Sequence, residues 1–235
     1  MNKSKLMIIV FSLSWSWSTT PDFINEVLHY SVGFRVFSAG NATLSMKSDT
    51  LDDKMVYLLT STIKTNSFLS NFYKIRDEIK SWLSPDNLSL LKTKQNIREG
   101  RYRRKHEAMI VGDSLSISKQ RTLKLPGNVY DPIAFVYFLR KQKLKEGDQY
   151  SFFSYGHKKI KEIIVRVTGK ELIKVPEGTH NCYRIEPIAG DGKQLLKNNG
   201  IMSVWLSEDS SHVPIKIEQN TSLGTMVMQL KSITH

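Results

Sequence analysis

The stretch NIREGRYRRKHE, residues 96–107, brings together the side chains with the clearest chemical potential in this chain. Seven of the sixteen residues from Lys92 to Glu107 are lysine or arginine, against two acids. Guanidinium groups present a planar fork of donors that suits carboxylate and phosphate, so the chemistry on offer is anion recognition. The spacing then sorts the residues by face. Leu88–Arg98 and Arg101–Val111 read as two strands joined by a Glu99-Gly100 link, a two-residue length that suits a hairpin. If Ala108 and Ile110 face inward, alternation puts Tyr102, Arg104 and His106 inward as well. Arg98, Arg101, Arg103 and Lys105 then form an outward basic patch, a solvated face on ordinary expectation. An inward guanidinium needs a partner. In KIRDEIKSWL, Asp77 shares a face with Ile75, Ile79 and Leu83 and is the proposed partner of Arg104. Either the two satisfy one another and specify the fold, or Arg104 with Tyr102 and His106 lines a cavity and meets a ligand's acidic head.

Other candidate chemistry is thin. Cys182 is the single cysteine, so no internal disulfide can form. His180 lies two residues away on the same strand face, but no Asn or Asp is placed to orient it, and a small buried hydrophobe is the expected role. One cysteine and six scattered histidines offer no zinc spacing. GNVYD and AGDGKQ lack phosphate-loop and dinucleotide spacing, and no G-x-S-x-G elbow occurs. Glu78, Glu99, Asp131 and Glu186 could form a carboxylate pair only across a cleft that sequence does not reveal. No catalytic residue, cofactor or metal is assigned.

The elements that must position these groups follow mainly a period of two. Leu28, Tyr30, Val32, Phe34 and Val36 alternate with His29, Ser31, Gly33 and Arg35. Similar runs follow, separated by turn signals such as LDDK, SPDN, PEGT and SEDS. About a dozen strands joined this way predict a mainly β fold, an antiparallel sheet curled into a barrel or part-barrel. Two segments depart from that period. NSFLSNFYKI predicts a short lid helix over 66–75. DPIAFVYFLRKQKL predicts a helix over 131–144, with Asp131 as cap and Pro132 in the first position. Residues 133–139 are apolar all round, so this helix should be buried inside or across the mouth of the curled sheet.

At 235 residues a single domain is expected, and 40% apolar with 24% charged residues fits a folded protein. The formal charge of +12 favours anionic partners without selecting among them. The basic head MNKSK, the apolar run LMIIVFSLSWSWS and its small-residue exit read as a signal peptide over 1–18, leaving 19–235 as one β-rich domain. Export speaks against nucleic acid as partner. So does the basic cluster, where Tyr102 is the only aromatic and is expected to face inward.

RDEIKSWLSPD, NIREGRYRRKHE, YDPIAFVYFLR and GTHNCYRIEPI, in that order and spacing, resemble the bacterial exported family catalogued as domain of unknown function 3108. The likeness runs from about Tyr30 to the C-terminus. It implies the compartment, the periplasm or outer envelope of a Gram-negative-type bacterium, and the architecture, and it carries no catalytic residues. The fold pattern is also similar to periplasmic lipoprotein carriers, a likeness of architecture alone.

The expectation is therefore a non-enzymatic envelope protein that shelters an apolar or amphipathic ligand, such as a lipid or acyl chain, in a concave sheet. Tyr102, Arg104, His106 and Asp77, with Phe135 and Phe138 of the apolar helix, would line the site. The basic hairpin would steer the protein to an anionic membrane surface. Two alternatives stand beside it. One is an interaction module whose basic hairpin docks an acidic envelope protein; the other is an enzyme acting on an envelope glycan or lipid.

Overall fold

Strands joined by short turns can pair only with their chain neighbours or with the far end of the chain, and this protein does both. A computed structural model describes residues 21–34, 37–118, 121–156, 158–194, 201–221 and 224–235; the expected signal peptide at 1–18 lies outside them. The first half forms β1 (Val27–Phe34), β2 (Phe37–Leu51), β3 (Lys54–Thr65), the single-turn α1 (Ser67–Ser70), β4 (Arg76–Leu83), β5 (Leu90–Glu99), β6 (Tyr102–Val111), β7 (Ser114–Ser118) and β8 (Arg121–Lys124). The second half forms β9 (Val129–Tyr130), α2 (Pro132–Arg140), β10 (Gln149–Gly156), β11 (Lys159–Val175), β12 (Gly178–Ala189), β13 (Met202–Ser207), β14 (Pro214–Thr221) and β15 (Gly224–Thr234).

The fifteen strands of the described residues make one sheet, ordered β8-β7-β6-β5-β4-β3-β2-β1-β15-β14-β13-β12-β11-β10-β9. The first and last strands pair at its middle, Val27 opposite Thr234 and Leu28 opposite Ile233. Every pairing is antiparallel except the two-residue contact of β9 with β10. The sheet is open, since β8 and β9 are its edges, yet it curls. β6 and β10 are eleven strand spacings apart, about 50 Å on a flat sheet. The side chains of His106 on β6 and Tyr155 on β10 nevertheless meet at 2.7 Å. The mainly β, curled architecture is as the sequence predicts, with more strands than the dozen expected. The additions come from the run at 115–124, which divides into two strands, and from the short β9.

The helix is what the sheet curls around. Asp131 caps it, accepting from the backbone N–H of Ile133 at 2.8 Å and of Ala134 at 3.3 Å. Beneath it, Ser81, Thr93 and Ala108 stand side by side on β4, β5 and β6, each no more than 2% exposed. Their small side chains leave the room the helix fills. Ala134 and Tyr137 pack into the cluster holding Leu59, Leu83, Leu90 and Leu115. Phe135, Val136 and Leu139 pack into another, with Phe152, Val165, Ile185 and Val204. The helix ends at Arg140 rather than at residue 144, because the chain turns there and carries Leu144 back into this second cluster. Each large side chain so buried contributes about 1.5–3 kcal/mol. The expected helix at 66–75 is shorter still: Asn66 caps it through Leu69 N–H at 2.8 Å, but none of its residues is buried, and one turn is all that forms.

Arg140 is anchored at the end of this helix. Its Nη1 and Nη2 donate to the two carboxylate oxygens of Glu26 at 2.6 and 3.0 Å, and its Nε donates to Ser211 O at 2.9 Å. The Phe23 and Tyr137 rings lie 5.0 and 5.2 Å from the guanidinium carbon. The two charged side chains are only 2% and 6% exposed. Replacing Arg140 or Glu26 alone by alanine leaves a buried unpaired charge and is expected to cost about 3–5 kcal/mol in urea unfolding. The double replacement R140M/E26L should cost less than either single change.

Candidate functional site

The antiparallel register gives the curled sheet two ends. One carries the start of β1, the end of β15 and Arg140. The other carries α1 and the β5–β6 turn, and the concave face there is less covered. Toward this hairpin end the inward positions of β3, β4 and β5 are Ile63, Ile79 and Ile97, set by the pairings Ile63 with Asp77, Ile79 with Gln95 and Ile97 with Arg104. Ile97 is buried, while Ile63 and Ile79 are half-buried. On the same face across β13–β15, Met202, Ile217 and Met226 are half-buried too. The result is an apolar bowl on the concave face whose lining side chains are mostly half-buried.

Arg104 and His106 stand on the wall of this bowl, half-buried and inward as the alternation predicts. The turn itself differs by one residue from the expected link. Glu99 pairs with Tyr102, so Gly100-Arg101 makes the turn, with Gly100 at φ 53°, as a glycine in the first position of a tight hairpin requires. Faces are unaffected, because they are set by the distance from Ala108.

The expected Asp77–Arg104 pair is not what forms. Arg104 Nη2 donates to Gln95 Oε1 at 2.9 Å, and its buried Nε has no hydrogen-bond partner among the described residues. Asp77 Oδ1 accepts from the backbone N–H of Arg98 at 2.8 Å. Its carboxyl also meets Glu99: burial first, then the charge and hydrogen bond of Asp77, push the Glu99 carboxyl above its ordinary range, with Arg104 pulling it back. The Arg104 guanidinium therefore acts on the Glu99 carboxyl and bonds Gln95, instead of pairing with Asp77.

Tyr102 is 53% exposed, at the rim rather than inside. Phe135 and Phe138 are away from these groups. Phe135 stacks on Phe152 with ring centroids 3.4 Å apart, and Phe138 packs on Tyr130 at 5.5 Å. Their interactions are those of core residues. Arg98, Arg101, Arg103 and Lys105 are exposed, as expected of the outward patch. Cys182 is buried, and burial pushes its thiol up to about 12, which suits a core residue and not a nucleophile. His180 is turned to Glu177 instead.

Sequence reasoning missed two features. The His106–Tyr155 bond joins strands from opposite ends of the sheet order, and no local signal announces it. The rim aromatics Phe68, Phe72 and Tyr73 were legible only as one face of a lid helix; in the single turn they are exposed at 72%, 76% and 49%. At the opposite end, a groove of about 540 Å³ runs over Phe23, Glu26, Arg140 and Ser211, whose polar groups are engaged with one another. Among the described residues, no three His, Cys, Asp or Glu side chains gather as metal ligands, and no helix is long and apolar enough to cross a membrane.

With this geometry in view, comparisons with known proteins place the fold. The model of the family described as "Protein of unknown function (DUF3108)" matches residues 29–231. No curated protein matches the sequence. Among solved structures, a beta-barrel-like protein of domain of unknown function DUF1849 from Brucella abortus is similar, with a TM-score of 0.63 and 10% identity over 90% of this chain and 98% of that one. That likeness is one of fold. A structure described as "putative exported protein with YmcC-like fold" from Bacteroides fragilis aligns at 11% identity over 92% of this chain and 98% of that one, TM-score 0.36. One described as "putative lipoprotein" from Parabacteroides distasonis aligns at 11% over 91% and 97%, TM-score 0.38.

Two measurements check the site. Burial, Arg104 and Lys158 hold the His106 imidazole below its ordinary range, so the folded protein favours the neutral ring. Above about pH 6.5 the ring is neutral in both states; below it the unfolded chain takes the proton first, and stability falls. Urea unfolding from pH 7 to 5 should show that loss, and His106→Gln should remove part of the slope. Thiol labelling should find Cys182 unreactive in native protein and reactive once unfolded.

Proposed function

The chain belongs to the DUF3108 family of unknown function, and on that footing we propose that it is a non-enzymatic protein of the bacterial envelope that shelters the apolar part of an amphipathic ligand in its concave sheet. The carrying observation is Arg104. Its guanidinium stands on the wall of a half-buried apolar bowl, with a buried Nε that has no hydrogen-bond partner among the described residues. An unsatisfied buried donor costs about 1–3 kcal/mol, which an entering acceptor relieves. Ile63, Ile79 and Ile97 line the wall beside it and offer contact to an acyl chain. Such a division of labour, apolar walls with a few polar groups fixing orientation, is the usual build of a ligand site.

The ligand class follows from these contacts: one anionic or strongly accepting head and at least one hydrocarbon chain. Phe135 and Phe138 do not enter this site, because their rings pack from α2 onto Phe152 and Tyr130. Export fits the order of basic head, apolar run and small residues at 1–18, which delivers the protein where envelope lipids are found.

Native mass spectrometry of protein purified from its own envelope, followed by lipid extraction, tests the reading. A stoichiometric lipid, lost on Arg104→Ala, is the expected result. A ligand-free mass that stays unchanged after incubation with envelope lipids would overturn it.

A further inference from the structure

We propose that the hairpin end of the sheet docks on the headgroup region of an anionic lipid bilayer, with the Phe68, Phe72, Tyr73 and Tyr102 rings entering the interface and Arg98 and Arg101 pairing with lipid phosphates. This goes beyond the sheltering of a single ligand: it concerns the outer rim, and it stands on residues that the bowl does not use.

The first observation is contiguity. Phe68 in α1 and Phe72 just after it have ring centroids 5.6 Å apart. The chain then runs to the hairpin, where Gly100 N–H donates to Lys74 O at 2.9 Å and Ile75 pairs with Glu99. The Tyr73 ring lies across the turn so closely that a Cβ at Gly100 would stand 2.6 Å from its Cε2. Two segments distant in sequence thus form one rim.

The second observation is exposure. The four rings are 72%, 76%, 49% and 53% exposed. Aromatic side chains gathered on one end of a β protein whose other described phenylalanines, tyrosines and tryptophans are buried or half-buried mark an interaction surface. The third is charge. Lys74, Arg76, Arg98, Arg101 and Arg103 are exposed around the same rings. The nearest acids are engaged: Asp77 and Glu99 with each other, and Glu107 with Lys92 at 2.8 Å. Exposed rings interleaved with cations are the composition of a peripheral membrane-binding surface, in which rings sit at headgroup level and basic groups meet anionic lipid. A protein partner of acidic character would use the cations and leave the phenylalanines without a role.

The test is sedimentation of the purified protein with vesicles of phosphatidylcholine alone and of equal phosphatidylcholine and phosphatidylglycerol. Binding is expected only to the anionic vesicles and should weaken as salt rises. Phe68→Ser and Phe72→Ser should each weaken it about tenfold, and Arg98→Ser and Arg101→Ser about fivefold each. All four positions are exposed, and circular dichroism of each variant checks that it folds. Failure of the wild-type protein to sediment with either vesicle overturns the proposal. So does a loss caused by the arginine changes alone, which would show that the rings do not enter the interface. Docking without co-purified lipid would strike the sheltering reading only; co-purified lipid without docking would strike this one only.

Discussion

The buried pair of Glu26 and Arg140 is the constraint around which the fold is arranged. Arg140 ends a helix that is otherwise apolar, and the curled sheet would strand its charge in a low-dielectric interior without a carboxylate. Glu26 supplies that carboxylate from the chain just before β1, and Ser211 adds an acceptor from the loop before β14. Three segments that pack nowhere near one another in sequence are thereby fixed at one end of the molecule. The pair also settles which way α2 lies, since reversing the helix would carry the guanidinium away from both partners.

That placement explains the difference between the two ends of the sheet. With Arg140 tied to the start of β1, α2 covers the concave face over Leu83, Leu90, Ala108 and Leu115. Nine helical residues span about 14 Å, shorter than the longest strands, so the helix cannot cover the whole face. What it leaves is the half-buried strip of Ile63, Ile79, Met226 and their neighbours, with Arg104 and His106 on the wall. Packing at one end thus creates the opportunity for binding at the other. The His106–Tyr155 bond ties β6 to β10 across a seam that no backbone ladder crosses among the described residues.

Electrostatics follow the same asymmetry. At the helix end the opposite charges are paired bidentately and buried. At the hairpin end, positive groups outnumber acids, and two of those acids are drawn together at Asp77 and Glu99. The outward cations of the hairpin therefore have few local partners. A sheet that places its satisfied charges at one end and its uncompensated ones at the other has a direction, and the exposed rings of α1 lie on the uncompensated side.

Local patterns in the sequence determined the strands, the capped apolar helix at Asp131–Pro132, the inward set of Arg104, His106 and Ala108, and the inert setting of Cys182. Each rests on a period of two or 3.6 or on a capping residue, and each such signal is complete within about ten residues. The extent of α1 was misread because helical spacing of Phe68, Leu69, Phe72 and Tyr73 does not reveal whether a surface exists to bury them. The Asp77–Arg104 pair was misassigned because a shared face does not fix which neighbour a side chain reaches; Gln95 and Glu99 were as near. Only the tertiary structure decided that Glu26 meets Arg140, that Tyr155 meets His106, that Phe135 and Phe138 belong to the core, and that the rim of α1 joins the turn at Gly100. These contacts are made between strands and loops far apart in the chain. The curl of the sheet brings them together, and its path is set by the packing of the whole molecule, which no short window of residues contains.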